Sequence, residues 1–304
     1  MRVLLDTDPG LGRTFADVDD GLTLFLMLNN PKFEIEGITT VFGNTPVKIG
    51  YPLMKKYLKL AGRTDIPHKM GAASKKDLGR LNAASKLLIE KVKENPKELT
   101  LLTLGPLTNI ATALRHYPTF FDDLKKVVMM GGTLTPFAGF LMNRIFFDKM
   151  NTKTFVSEFN FYQDAMATKE VIEFPTMTPR VEMGLDICCR TVFKKTQLKR
   201  IESVDKPIPQ FIAKHLKFWL NLWRIFLKGG FYPFDTFVPI YLIKPELFNV
   251  ANLFLEVDIE KIPAKLSILK GRREKSAPIT YCTNFIDSKA KEEFMEILVS
   301  NLIR

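Results

Sequence analysis

Short apolar runs alternate with helical segments, and this alternation constrains the fold more than any other feature of the sequence. The first run, residues 3–5, ends in Asp6-Thr7-Asp8, which is typical of a buried parallel strand with a polar carboxyl end. A helical segment at 21–28 and a second apolar run at 33–41 follow. Strand, helix and strand in this order predict a βαβ unit, in which the two strands are parallel.

The alternation continues further along the chain. Periodic apolar spacing predicts helices at 47–60, 81–92 and 106–115, and apolar runs predict strands at 99–104, 126–130 and 180–185. Beyond residue 253, β-like runs at 253–259, 264–269 and 279–283 precede a last helix at 288–302, and we interpret this part as a peripheral segment. Neither a linker nor a repeat divides the chain. Residues 1–304 are therefore predicted to form one α/β domain with a mostly parallel central sheet flanked by helices.

Composition excludes several classes of protein. Apolar residues make up 46% and charged residues 25% of the 304 residues, a balance that is typical of a globular protein and not of a disordered one. Three cysteines are too few for a disulfide scaffold, so we expect reduced thiols in a cytoplasmic protein. The apolar run at residues 3–5 is too short, and too soon followed by Asp6, to be a signal peptide. The segment 210–228 is rich in aromatic residues, but charged residues interrupt it. It is predicted to be a buried or interface helix, and no membrane association is expected.

The formal net charge is +11, from 44 Lys and Arg against 33 Asp and Glu. A basic surface can attract nucleic acid. The basic residues are scattered, however, and the densest clusters, at 194–200 and 272–273, are short. Solvated helix faces and turns explain such clusters more simply than a track for phosphates. No nucleic-acid partner is therefore expected.

Acidic residues are concentrated at and after the first strand. Asp6 and Asp8 lie at its carboxyl end, and Asp17, Asp19 and Asp20 follow within a turn and the start of a helix. Any one of them alone is best explained as a helix cap. Several carboxylates this close would repel one another, and a divalent cation with oxygen ligands relieves that repulsion. The cluster therefore predicts a metal site.

Further polar residues fall at other strand or helix ends. They are Asn44 after the second strand, the segment 104–109 after the third, Glu158 and Asn160 in an apolar stretch, and Asp235 before a mostly apolar helix. Taken singly, these residues are explained by turns and caps. Because the carboxyl ends of parallel strands meet at one edge of the sheet, they are also candidates for a single ligand site.

These segments occur in the order found in a known family. They read LDTDPG at 5–10, DDG at 19–21, GITTVFGN at 37–44, LGPLTNIA at 104–111, VMMGG at 128–132, EFN at 158–160 and GLD at 184–186. Together they resemble the inosine–uridine preferring nucleoside hydrolase family. One such motif would be weak support, whereas the ordered set spans nearly the whole chain.

The resemblance implies a calcium-dependent enzyme that hydrolyses the N-glycosidic bond of ribonucleosides. It implies that Asp8 and Asn44 are the catalytic residues, where Asp8 binds Ca²⁺ and activates water and Asn44 is a polar group close by. The implied metal ligands are Asp8, Asp20, Asp235 and the backbone carbonyl of Leu104. The implied substrate contacts are Asp19, Asn151, Glu158, Asn160, Phe234 and Asp235. A small-molecule nucleoside substrate and a homo-oligomer, either dimer or tetramer, are expected.

Two departures from the family pattern concern the site. Residues 11–18 separate Gly10 from Asp19, where the family has one residue, and this leaves open whether Asp17 replaces Asp19. Phe234 stands before Asp235, where many members have a histidine that protonates the leaving base. An aromatic residue there resembles a purine-preferring branch that activates the base by stacking, so purine preference is predicted. Among the histidines, His68 is the candidate for a substitute acid.

Two other functions remain open from the sequence. Asp6-x-Asp8 after an apolar strand also fits a haloacid-dehalogenase-type phosphatase with magnesium, although that reading leaves Glu158-Phe159-Asn160 unexplained. The Phe234 substitution and a short loop after Pro67 also fit a nucleoside- or ribose-binding protein that has lost turnover. Release of ribose from inosine distinguishes the hydrolase from both alternatives.

Overall fold

An eight-stranded sheet organises the chain in a computed structural model that describes residues 1–134, 157–226, 229–261 and 264–304. The strands are β1 (Arg2–Thr7), β2 (Glu34–Thr40), β3 (His68–Met70), β4 (Thr100–Thr103), β5 (Lys126–Met130), β6 (Arg180–Met183), β7 (Phe193–Lys194), β8 (Gly230–Phe231), β9 (Phe248–Leu253), β10 (Leu255–Asp258), β11 (Lys265–Ile268) and β12 (Ile279–Phe285). The large sheet has the order β3-β2-β1-β4-β5-β6-β12-β9, and its strands are parallel except for β9.

Helices cover both faces of this sheet. They are α1 (Asp19–Asn29), α2 (Val47–Leu60), α3 (Ala83–Glu94), α4 (Thr108–His116), α5 (Phe159–Gln163), α6 (Ala165–Ile172), α7 (Leu185–Cys188), α8 (Lys195–Glu202), α9 (Pro207–Phe226), α10 (Phe237–Ile243) and α11 (Ser288–Leu302), with short 3₁₀ turns at Lys75–Asp77, Phe234–Thr236 and Pro245–Leu247. The predicted α/β fold with a mostly parallel sheet is confirmed.

Strand β1 shows why its sequence is continuously apolar. Val3, Leu4 and Leu5 are fully buried. Val3 and Leu5 belong to the core on one face of the sheet, whereas Leu4 belongs to the core on the other face. A strand covered on both faces cannot alternate apolar and polar side chains, because each side chain enters one core or the other. The polar residues of β1 are therefore confined to its carboxyl end.

The segment after residue 253 differs from the prediction. Strand β12 is not peripheral, because it lies in the large sheet and pairs in parallel with β6, with Ile279 opposite Arg180. Strand β9, which the sequence pattern did not predict, forms the antiparallel edge beside β12. Within this segment, β10 and β11 pair with each other in a separate two-stranded sheet, and β7 and β8, earlier in the chain, form another. The sequence gives no local signal for a pairing between strands that are this far apart.

The aromatic segment forms α9, as predicted. Leu216, Trp219 and Trp223 are buried, which agrees with the predicted buried helix. Phe218 on the same helix is 44% exposed. In the described part of the chain, no helix combines the length and the apolar character that crossing a bilayer requires. Cys188, Cys189 and Cys282 all lie in described residues and carry free thiols.

The carboxyl ends of the central strands lie side by side. Asp6 of β1 is opposite Thr39 of β2 on one side and opposite Thr103 of β4 on the other. The loops that leave these strands therefore begin at one edge of the sheet. This edge is where the polar residues singled out in the sequence converge.

Candidate active site

Three buried carboxylates form the centre of the site. Asp19 and Asp20 begin α1, and Asp235 lies in the 3₁₀ turn Phe234–Thr236. Each contributes an oxygen atom that lies within 4.8 Å of the other two, and all three residues are buried. The backbone N–H of Asp235 donates a hydrogen bond to Asp19 Oδ2 over 3.2 Å. A set of carboxylate oxygens this close has the chemistry of a divalent cation site.

Asp8 lies directly beside these carboxylates. Its backbone N–H donates to Asp20 Oδ1 over 3.1 Å, and the Thr7 hydroxyl donates to the same oxygen. The Asp8 side chain accepts a hydrogen bond from the backbone N–H of Asn44 over 2.6 Å. A Cβ atom at Gly43 would lie only 2.0 Å from Asp8 Oδ2, so glycine is required there for this close approach. The end of β1 therefore presents Asp8 to the cluster.

Asn44 connects the cluster to the loop formed by residues 11–18. Its Oδ1 accepts a hydrogen bond from Asp17 N–H over 2.8 Å, and its Nδ2 donates to Asp17 O over 3.1 Å. The same Nδ2 lies 3.4 Å from Asp20 Oδ2. One amide side chain thus holds both the loop and a carboxylate. This positioning agrees with the predicted place of Asn44 close to Asp8.

Burial dominates the ionisation of the acids at this site. It raises the pKa of Asp8, Asp19 and Asp235 well above the usual range, and repulsion from neighbouring carboxylates raises the pKa further. Burial likewise raises the pKa of Asp20 to about 7, against the hydrogen bond from Thr7. A cation with oxygen ligands would offset both effects, because its positive charge stabilises the ionised carboxylates. The residues present therefore fit a metal ion.

A second group of polar residues is linked to the backbone carbonyl of Leu104 through Asn160. Asn160 Nδ2 donates to Leu104 O over 2.8 Å. Both carboxylate oxygens of Glu158 accept backbone hydrogen bonds, one from Asn160 N–H at 2.7 Å and the other from Gly132 and Phe161 N–H at 3.0 and 2.9 Å. Glu158 thus caps α5. Burial nevertheless raises the pKa of Glu158 to about 7.

Comparison with known proteins identifies the family. The sequence pattern that defines the family described as "Inosine-uridine preferring nucleoside hydrolase" matches residues 3–292. The chain belongs to this family. This nucleoside hydrolase is 26% identical to uridine nucleosidase 1 of Arabidopsis thaliana, over 86% of this chain and 79% of that protein. It is also 26% identical to the pyrimidine-specific ribonucleoside hydrolase RihA of Enterobacter sp. strain 638, over 86% of this chain and 84% of that one.

Solved structures show the same fold as this nucleoside hydrolase. A purine-preferring ribonucleoside hydrolase from Gardnerella vaginalis superposes with a TM-score of 0.82 at 20% sequence identity, over 99% of both chains. A plant nucleoside hydrolase superposes with a TM-score of 0.81 at 21% identity, over 99% of this chain and 98% of that one. Family membership makes the chain an N-ribohydrolase and replaces the phosphatase alternative.

In this nucleoside hydrolase, the three carboxylates that lie closest together are not the same three that are predicted to bind the metal. Asp20 and Asp235 lie together, but Asp19 is their third close neighbour, whereas the resemblance assigns it to ribose. Asp8 lies beside Asp20 and outside this closest set. Asp17 does not take the place of Asp19 in the set, and its Oδ1 accepts a hydrogen bond from Val18 N–H over 2.7 Å.

The predicted substrate contacts are placed unequally. Asn160 contacts Leu104 O, Glu158 accepts a hydrogen bond from the N–H of Asn160, and Asn151 lies outside the described residues. Phe234 is 7% exposed and packs on Tyr232, with 5.6 Å between the ring centroids. His68 is in β3, and its Nδ1 lies 2.8 Å from the carbonyl oxygen of Ile66.

Asn109 connects several elements, although turn chemistry is enough to explain it in the sequence. Its Nδ2 donates to Asp6 Oδ1 at 2.9 Å and to Thr40 O at 3.1 Å, and its Oδ1 accepts from Ala72 N–H at 3.0 Å. It therefore joins the ends of β1 and β2 to the segment after β3. Asp6 Oδ2 is buried and has no hydrogen-bond partner within the described residues. Burial raises the pKa of Asp6 to about 7.

Proposed function

We propose that this nucleoside hydrolase is calcium-dependent, prefers purine nucleosides and uses Asp8 as the base that activates water. The buried set of Asp19, Asp20 and Asp235 beside Asp8 is the observation that carries the proposal. The products are ribose and the free base. The metal ligands are proposed to be Asp8, Asp20, Asp235 and the carbonyl of Leu104, with Asp19 directed to the sugar.

The donor set favours calcium over a softer metal. Carboxylate and carbonyl oxygens are hard ligands, and Ca²⁺ takes six to eight of them at about 2.3–2.6 Å. A bound calcium ion would supply positive charge that orients the ribose hydroxyls and lowers the pKa of the attacking water. Leu104 O already accepts a hydrogen bond from Asn160, and a carbonyl oxygen has a second lone pair.

Asp8 is positioned to receive a proton. The N–H of Asn44 fixes one of its oxygens, so that the carboxylate keeps one orientation. A positioned carboxylate that removes a proton in the transition state contributes typically about 10²–10⁴-fold to the rate. Loss of the base from the sugar creates oxocarbenium character on the ribose, and the surrounding carboxylates stabilise that charge.

The ribose hydroxyls are proposed to contact Asp19, Glu158 and Asn160. The Asn160 side chain is held by its hydrogen bond to Leu104 O, and the Glu158 carboxylate is fixed by the N–H of Asn160 at the start of α5. Asn151 is proposed as a further sugar contact on the basis of its place in the motif order. Binding through several hydroxyls explains how a small sugar would gain affinity without a large apolar contact.

Departure of the base is proposed to depend on stacking, because Phe234 cannot donate a proton. Stacking favours purines, which have the larger aromatic surface. The named relatives include uridine- and pyrimidine-specific enzymes as well as a purine-preferring one, so the substrate panel decides this part of the proposal. His68 is the alternative acid.

The proposed function is tested with a panel of purine and pyrimidine nucleosides, with calcium added or chelated, and free ribose as the readout. Ribose release from inosine that stops on chelation and returns with calcium supports the calcium site. Binding of nucleosides without ribose release would make the chain a binding protein instead. Faster cleavage of uridine than of inosine would contradict the purine preference.

A homo-oligomer, dimer or tetramer, is proposed as well. Val250 on the edge strand β9 is 47% exposed and Ile286 is 51% exposed. The N–H of Ile286 donates to Leu247 O over 3.0 Å, which places both apolar side chains near one end of β9. Light scattering of the purified chain tests this, and the mass of a single chain would contradict it.

A further inference from the structure

The loop formed by residues 11–18 buries its ends and exposes its tip. Leu11, Ala16 and Val18 are at most 4% exposed, whereas residues 13–15 are exposed to solvent. Phe15 at the tip is 74% exposed. Because the phenyl ring is mostly in solvent, it contributes little hydrophobic free energy to folding. The buried ends of the loop explain how it is anchored, but they do not explain why its tip carries an exposed aromatic side chain.

The backbone of Phe15 is in an unfavourable conformation. Its φ angle is 65°, in the left-handed region that glycine and asparagine adopt more readily than bulky residues. Strained residues of this kind persist where the surrounding structure holds them, and they are frequent in ligand-binding segments. Here the strain directs a large apolar side chain into solvent, which would be costly without a binding partner for that ring.

The loop is anchored beside the carboxylates at Asp17. Asn44 holds both the N–H and the carbonyl of Asp17, and its own N–H donates to Asp8. Phe15 and Asp17 are two residues apart, so their Cα atoms are separated by about 7 Å at most. The ring of Phe15 is thus connected through a short, hydrogen-bonded path to the residues that are proposed to hold the sugar.

Helix α9 supplies a second aromatic ring at this position. Phe218 contacts Phe15 edge to face, with 5.3 Å between the ring centroids and 83° between the ring planes, and it is itself 44% exposed. In an edge-to-face contact the edge of one ring covers at most one face of the other, so aromatic surface remains for a third ring. Gly12 approaches Phe211 on the same helix, which keeps the loop against α9.

We infer that Phe15, supported by Phe218, contacts the nucleobase of the bound nucleoside and determines base affinity. This inference rests on the proposed function, in which the carboxylates hold the ribose. A nucleoside held by its sugar extends its flat, uncharged base away from the carboxylates, and Phe15 and Phe218 offer exposed aromatic surface at the loop that Asn44 anchors to them. Residues 11–18, which interrupt the family pattern, are thereby a base-recognition loop that belongs to this chain.

The test replaces Phe15 with asparagine, which removes the ring but tolerates the left-handed conformation. The variant loses the free energy of stacking between the base and the ring. We therefore expect kcat/KM for inosine to fall by about tenfold or more in Phe15→Asn. The melting temperature should stay the same or rise, because the strain is relieved. Binding of 1,4-anhydro-D-ribitol, a ribose analogue without a base, and binding of calcium should both be unchanged in calorimetry.

Two further variants complete the experiment. Phe15→Tyr keeps the ring and should recover most of the kcat/KM that Phe15→Asn loses. Met177→Ala removes an exposed apolar side chain, 68% exposed, from the segment before β6, and should leave kcat/KM unchanged. This control separates base recognition from a general effect of losing exposed apolar surface.

Three outcomes would overturn the inference. If the wild-type chain releases ribose and Phe15→Asn has the same kcat/KM, Phe15 has no role in base binding, whereas the proposed function stands. If Phe15→Asn melts at a lower temperature and binds inosine and 1,4-anhydro-D-ribitol equally weakly, the ring is structural. If the wild-type chain neither binds inosine nor releases ribose, the proposed function fails and the inference fails with it.

Discussion

The backbone N–H of Asp235 donates to Asp19 Oδ2, which joins two residues that are 216 positions apart in the sequence. This bond links the 3₁₀ turn before α10 to the first turn of α1. It fixes the late carboxylate against the early pair, so that the three acids share one small volume. The predictions below follow from this assembly and from the residues around it.

Removing the Asp8 carboxylate should abolish both metal binding and turnover. In Asp8→Ala, one proposed ligand and the proposed base are lost together, and ribose release from inosine should fall by at least about 10²-fold. Calcium affinity is measured by calorimetry and turnover by free ribose. Asp8→Asn is the matched control for side-chain volume and should also be inactive. Near-normal ribose release by Asp8→Ala would show that Asp8 is neither ligand nor base.

Truncation of Asn160 separates a sugar contact from a structural role. Asn160→Ala loses the hydrogen bond to Leu104 O and should cost about 0.5–1.5 kcal/mol of unfolding free energy. We expect a much larger effect on binding, measured as the affinity for 1,4-anhydro-D-ribitol. Urea denaturation gives the stability of the same variant. Unchanged affinity together with lower stability would show that Asn160 only satisfies neighbouring backbone groups.

The aromatic residue before Asp235 should control purine turnover. Phe234→Leu keeps an apolar side chain in a position that is only 7% exposed, but it removes the ring. Hydrolysis of inosine should fall, and hydrolysis of uridine should change less. His68→Ala should have little effect on either substrate. If His68→Ala abolishes hydrolysis, a histidine acid replaces stacking as the way in which the base is activated.

Glu182 should destabilise the folded chain at neutral pH. It is fully buried on β6, and neither of its carboxylate oxygens has a hydrogen-bond partner within the described residues. Burial raises the pKa of Glu182 well above the usual 4.5, repulsion from Glu158 adds to this, and attraction to Arg180 offsets only part of it. The folded chain therefore holds a proton that the unfolded chain releases. The stability that protonated Glu182 contributes is complete below pH 4.5, and it is lost as the pH rises through the raised pKa of the folded chain.

Glu182→Met should therefore raise the unfolding free energy at pH 7.5 by about 1–3 kcal/mol, and by less at pH 5. Arg180, on the same strand, keeps its own hydrogen bonds to the carbonyls of Val171 and Ile172. Urea denaturation at both pH values, with calcium in excess, measures the difference. Glu246→Met, which alters a glutamate in an exposed 3₁₀ turn, is the control. A loss of stability at pH 7.5 would contradict the prediction.

The sequence predicted the parts of the fold that are encoded locally. The βαβ unit of β1, α1 and β2 and the last helix, α11, were recognisable because apolar spacing and polar ends occur within a short stretch of chain. The role of Asp8 and Asp20 in one acidic cluster followed for the same reason. Asp235 could be assigned only through the resemblance, because no local pattern shows that a residue after α9 meets the start of α1.

Other features depend on packing between distant segments and could not be predicted. Strand β12 pairs with β6, which lies far earlier in the chain. Its own sequence carries no signal for that partner and predicts only a peripheral strand. The hydrogen bonds of Asn109 to Asp6 and Thr40 require three strands to be in place. The membership of Asp19 in the closest set of carboxylates requires the turn that carries Asp235 to meet the start of α1.

The position of β12 also bears on how the chain folds during synthesis. Strand β6 is exposed on one side until Ile279–Phe285 has left the ribosome, since β12 pairs with it in parallel and, among the described strands, β9 pairs only with β12. A nascent chain therefore carries an open parallel edge through the translation of the whole segment between β6 and β12. Unpaired strand edges promote association between chains. Slow translation of this segment would be expected to favour aggregation, and a chaperone that covers the edge would favour the native enzyme.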